Sequence, residues 1–126
     1  MKRMLMAAVA LAVSSSVAAA QAVPVTLTEW KVTMGRDTVK AGTVTFRVKN
    51  TGAMTHGFYV MGNGVAKGSR EIPAGQEGTL TVTLKAGTYE VYCPMSDNSH
   101  KIAGMSHQLV VTAGEAVAVP KKKPAD

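Results

Sequence analysis

Cysteine is nearly absent: the 126-residue chain has one, Cys93. A lone cysteine cannot close an internal disulfide, so a disulfide-stapled scaffold is excluded. In an oxidising compartment such a thiol is either buried and inert or held by a metal. Aromatic residues are scarce too, at 5%. No basic stripe is interleaved with them, so the usual nucleic-acid-binding surface is missing. Charged residues, at 17%, form no paired-carboxylate cluster, and no serine sits in a nucleophile-elbow pattern. The chain is therefore not expected to be an enzyme. No apolar run reaches the ~20 residues of a membrane helix, so stable membrane insertion is not expected. No stretch carries a sustained helical period.

What is present starts with an export pattern. Lys2 and Arg3 precede an apolar run from Met4 to Val13, and Ser14-Ser15-Ser16 leads to Ala18-Ala19-Ala20, a small-x-small cleavage pattern. Residues 1–20 read as a signal peptide cleaved after Ala20, with the periplasm as destination. Residues 21–114 then make one domain of ordinary size. Residues 115–126, with Lys121, Lys122 and Lys123 between two prolines, read as a basic disordered tail. The formal net charge is +6, but the leader and tail hold much of the surplus. The domain itself is close to neutral, and its charge acts only to steer encounter with an acidic partner or anionic surface.

From Val25 onward the apolar period is two. Val25 and Leu27 share a face; the parity then changes at Trp30, Val32 and Met34, which predicts a bulge near Glu29. Val44, Phe46 and Val48 give a half-buried strand ending at Asn50-Thr51-Gly52, and His56, Phe58 and Val60 share the inner parity of the next. Residues 62–78, rich in glycine, read as a long connection with at most a short strand or turn around Ile72. Leu80, Val82 and Leu84 alternate, as do Tyr89, Val91 and Cys93, and Met105, His107, Leu109 and Val111 after a loop over 94–104. Short strands, regular turns and β-branched enrichment predict an all-β, Greek-key sandwich or barrel with antiparallel and mixed strands. Trp30, Phe58, Tyr89 and Tyr92 read as core or sheet residues.

Cys93, His100 and Met105 follow one another across that loop, and His56 shares an inward face with its own strand. Thiolate, imidazole and thioether together suit copper better than other common metals. Zinc takes cysteine and histidine but uses thioether poorly, and a Cys–His nucleophile dyad leaves the methionine without a role.

At these residues the chain resembles the cupredoxins, the small blue copper proteins of the plastocyanin, pseudoazurin and azurin kind. The resemblance covers about residues 25–113. Its carriers are Asn50-Thr51-Gly52 leading to His56-Gly57-Phe58, then Tyr89 to Pro94, and His100 with Ala103-Gly104-Met105. It implies one type 1 copper ion held by His56, Cys93, His100 and Met105, with His100 the more exposed imidazole and Met105 the weak axial ligand. It also implies a monomeric one-electron carrier serving periplasmic redox proteins, such as a cytochrome or a copper enzyme. Electrons would pass through the exposed edge of His100, rimmed by Met95, Ile102 and Ala103.

Two features depart from the family. Six residues separate Cys93 from His100, more than in most cupredoxins, and His107 stands where a small residue is usual. By parity His107 could approach the site, although packing or hydrogen bonding is its simpler reading. Met54, Met61 and Met95 raise the alternative of periplasmic copper delivery or storage, while methionine is also an ordinary core filler. A fold of this kind without a functional metal is the third possibility.

Overall fold

The alternating pattern resolves into nine strands and one helical turn in the computed structural model, which describes residues 21–113. The strands are β1 (Gln21–Thr28), β2 (Lys31–Met34), β3 (Thr38–Lys40), β4 (Gly42–Asn50), β5 (Tyr59–Gly62), β6 (Val65–Gly68), β7 (Glu77–Leu84), β8 (Gly87–Tyr92) and β9 (Ser106–Thr112). The helical turn α1 (Ser99–Ile102) lies between β8 and β9. The expected signal peptide and basic tail lie outside the described residues.

Two sheets result, ordered β2-β1-β4-β7 and β3-β9-β8-β5-β6. Both are mixed: β1 runs parallel to β4 and β3 parallel to β9, while the other pairs are antiparallel. The expected all-β sandwich is observed. Its core takes the inward residues of both sheets, among them Val25, Leu27, Phe46 and Val48 from the first and Val60, Tyr89, Val91 and Leu109 from the second. Phe46 and Phe58 meet at 5.0 Å between ring centroids and join the layers. Burial of such side chains stabilises the sandwich by roughly 1.5–3 kcal/mol each relative to exposure. The Tyr89 hydroxyl donates to the Lys85 carbonyl at 2.7 Å, pinning the corner into β8.

The parity change after Leu27 has a different cause from the predicted bulge. β1 and β2 form a hairpin closed by Glu29 and Trp30, in which Leu27 pairs with Val32 and Val25 with Met34. Residues paired across a two-residue turn share a face, so the count shifts without any bulge. Trp30 therefore sits on the turn and not in the core. It is 48% exposed, at φ 67°. In the long connection Ile72 forms the expected short element, an isolated bridge with His56, and β6, which pairs with β5, is structure beyond what was expected.

Candidate metal centre

His56 precedes β5 and is fixed by backbone bonds in both directions with Ile72, at 3.1 and 2.7 Å. The fully buried Asn50 organises the approach. Its amide nitrogen donates to the carbonyls of Met54 (2.7 Å) and Ile72 (2.8 Å), and its side-chain oxygen accepts from Gly52 N–H (2.9 Å). Cys93 leaves the end of β8, with its N–H donating to the Met105 carbonyl at 3.1 Å. The strand pair β8–β9 thus brings Cys93 and Met105 opposite each other across the loop.

The long spacing before His100 is absorbed by a left-handed segment. Ser96, Asp97 and Asn98 lie at φ 54°, 52° and 65°. Asp and Asn tolerate this conformation better than most non-glycine residues. The segment delivers His100 on α1, and the Met105 N–H donates back to the His100 carbonyl at 3.0 Å.

Three donor atoms converge. The Nδ1 atoms of His56 and His100 are 3.2 Å apart and lie 3.8 and 3.7 Å from Cys93 Sγ. All three residues are buried. A point equidistant from the three atoms lies about 2.1 Å from each, close to the ~2.0–2.1 Å metal–nitrogen and ~2.3 Å metal–thiolate bonds of a first-row ion. Two imidazoles and a thiolate in one triangle are positioned as a copper site. Burial, and next the neighbouring His56, hold the His100 imidazole below its ordinary pKa, which favours the neutral form that a metal ligand needs. Gly57 N–H points at Cys93 Sγ from 3.4 Å and stabilises the thiolate. Met105, fully buried, stands immediately before β9.

The sequence reading missed Glu29. Its Oε1 lies 2.9 Å from His56 Nε2, 2.9 Å from Ala53 N and 3.0 Å from Met54 N. The Ala53 N–H chiefly, then the His56 bond and the Met54 N–H, lower its pKa to about 2. A carboxylate on the outer nitrogen fixes the imidazole so that Nδ1 faces Cys93. Gly52 leaves room for this arrangement, since a Cβ there would push the Glu29 carboxylate out of its place. No local signal marks Glu29. A charged residue in a turn reads as solvated surface until the hairpin is placed against the loop over 51–56.

Other expectations divide. His100 is 4% exposed, and the Trp30 ring covers it edge-on at 5.2 Å between centroids. Of the expected rim, Ile102 and Ala103 are exposed, whereas Met95 packs partly buried against the core. His107 does not join the donors. Its side chain is 39% exposed and lies 3.5 Å from Asp37. A His107→Ala protein loaded with Cu(II) is accordingly expected to keep the parent visible spectrum; a shifted band would make His107 a ligand.

An ion pair steadies α1. Lys101 Nζ lies 2.8 Å from Glu90 and 4.3 Å from the Tyr92 ring centre. Lys101, followed by Ser106, holds the Glu90 carboxyl below its ordinary 4.5 despite partial desolvation. The depressed pKa means a contribution present above the unfolded value and lost as pH falls through the folded one. For so exposed a pair, Glu90→Gln is expected to cost about 0–1 kcal/mol at neutral pH. Denaturant titrations should show the gap closing as the pH drops below the ordinary carboxyl range; a constant gap would exclude the charge as its source.

Known proteins share this frame. The family model described as a cupredoxin-like domain matches residues 3–103, a span that includes His56, Cys93 and His100 and stops short of Met105. No curated protein sequence matches the chain. Among solved structures, a dithionite-reduced auracyanin from Roseiflexus castenholzii is 19% identical over 74% of this chain and 98% of its own, with a TM-score of 0.63. Auracyanin A of Chloroflexus aurantiacus, described as a "blue" copper protein, is 23% identical over 71% and 99%, with a TM-score of 0.54. A multicopper oxidase also matches, at 16% identity and a TM-score of 0.56, over 71% of this chain and 41% of its own. A family match spanning most of the chain, on a two-sheet frame that carries a buried His–Cys–His triangle, establishes that this protein belongs to the cupredoxin-like domain family.

Proposed function

We propose that the protein is an exported one-electron carrier whose single type 1 copper would be held by His56 Nδ1, Cys93 Sγ and His100 Nδ1, with the Met105 thioether as the fourth donor. The observation that carries this reading is the buried triangle of two imidazole nitrogens and one thiolate, its sides 3.2, 3.7 and 3.8 Å. Copper bound there supplies reversible one-electron chemistry, which the thiolate and thioether favour as Cu(I) and the imidazoles accept in both states.

The chain's own residues do the rest. Asn50 and the His56–Ile72 bridge hold one imidazole in place, and the β8–β9 pair holds the cysteine opposite the methionine. A site fixed by surrounding bonds changes little between oxidation states, which keeps reorganisation small. The exclusion of water from three buried donors serves the same end. Gly57 N–H, by stabilising the thiolate, tunes the potential. The carrier would meet exported redox proteins, a cytochrome or a copper enzyme, as a monomer. A helix long and apolar enough to cross a membrane is absent among the described residues.

The test is the visible spectrum of the mature protein with one equivalent of Cu(II). An intense thiolate-to-copper band and blue colour are expected. Colourless protein that binds Cu(I) tightly would replace this reading with copper delivery, and protein that binds neither ion would leave a metal-free module.

A further inference from the structure

The two residues of the β1–β2 turn each grip one histidine of the triangle: Glu29 holds His56 and Trp30 lies against His100. Glu29 is explained by its bonds. Trp30 is not, because a bulky residue at φ 67° costs backbone energy and the ring remains 48% exposed. A core residue would repay that strain by burial. Here the ring stands edge-on to an imidazole that is otherwise the triangle's nearest approach to water, at 4% exposure against none for His56 and Cys93. The neighbouring loop is shaped to admit the turn. Gly104, at φ 129°, has no Cβ, and one placed there would come within 2.8 Å of the Trp30 carbonyl.

We infer that Trp30 is the seal of the metal site: its indole closes the outer edge of His100 against water and small ligands, and so sets how readily copper leaves. The site then keeps copper through redox cycles. An indole also offers any docked protein a polarisable, partly apolar contact in place of a bare imidazole edge. The seal is a property of side-chain cover on His100 and so can be read without copper. Its link to copper retention rests on the ligand set proposed above.

The experiment has two arms. In the first, the metal-free protein is treated with diethyl pyrocarbonate, and modification of its three histidines is followed by mass spectrometry. The partly exposed His107 is expected to react fast and His100 slowly. Trp30→Asn accepts the left-handed backbone while removing the ring; it should speed modification at His100 by about tenfold, the size of one aromatic pair, and leave His107 unchanged. Trp30→Phe keeps a ring and should stay near the parent. In the second arm, Cu(I)-loaded protein is mixed with a chromogenic Cu(I) chelator, and the same order of rates is expected. Because Trp30 is the chain's sole tryptophan, its fluorescence in the parent should also report copper loading. Equal His100 reactivity in all three proteins overturns the seal. Faster modification without faster copper loss overturns its role in retention. Failure of the parent to bind copper at all is seen separately, by titration, and removes the electron-carrier reading along with retention while the first arm still decides the cover.

Discussion

Cys93→Ser should abolish the intense visible band and weaken copper binding by more than about 100-fold, the upper figure for losing a mere outer-shell partner. The thiolate is the donor that produces colour and favours Cu(I), and a serine hydroxyl is both harder and far less acidic. On the proposed ligand set copper would be left with two imidazoles and a thioether, without a strong anionic donor. The fold should survive, because the β8–β9 ladder and the Cys93 N–H bond to Met105 are backbone features. The hydroxyl can still accept from the Gly57 N–H and lies beside two imidazole nitrogens, so a stability cost of no more than about 1 kcal/mol is expected. Visible absorption and competitive titration measure the first two effects, and denaturant unfolding the third. A serine variant that stays intensely blue would sink the ligand assignment.

Glu29→Ala carries the second large effect. The substitution removes the bond on His56 Nε2 and leaves the Ala53 and Met54 N–H groups without their acceptor. Loss of such a partner costs about 10–100-fold in metal affinity. The removal of a nearby negative charge also favours the lower-charged Cu(I) state, so the reduction potential should rise. Glu29→Gln separates the causes, since it keeps an acceptor oxygen without the charge. The potential should rise in both variants, while most of the affinity should return in the glutamine protein. An alanine variant with unchanged affinity and potential would reduce Glu29 to a turn residue.

Both substitutions converge on the same loop cluster, but only one was open to sequence reasoning. Cys93 and His100 announce themselves because their donor chemistry is intrinsic to the side chains, and His56 follows from strand parity. Trp30 was misplaced for a definite reason. A shift of parity has two readings, a bulge or a hairpin, and only pairing of Leu27 with Val32 chooses between them. The spacing before His100 was ambiguous for a similar reason, since loop length alone does not reveal three consecutive left-handed residues at 96–98. His107 shows the limit of parity from the other side. It shares the register of Met105 and Leu109, yet it lies at the margin beside Asp37.

By itself the sequence determined the β class, the inward faces of the main strands and the three donors that the structure brings together, His56, Cys93 and His100. Period-two burial and ligand chemistry are properties of residues and their immediate neighbours. Tertiary structure alone decided which neighbours the donors have. The turn at Glu29 and Trp30 reaches His56 and His100 because β1 pairs with β2 and β4 in one sheet, while the loop bearing His100 hangs from the other. No local pattern encodes a contact between two sheets. The carboxylate behind one histidine and the indole over the other are consequences of how the layers close.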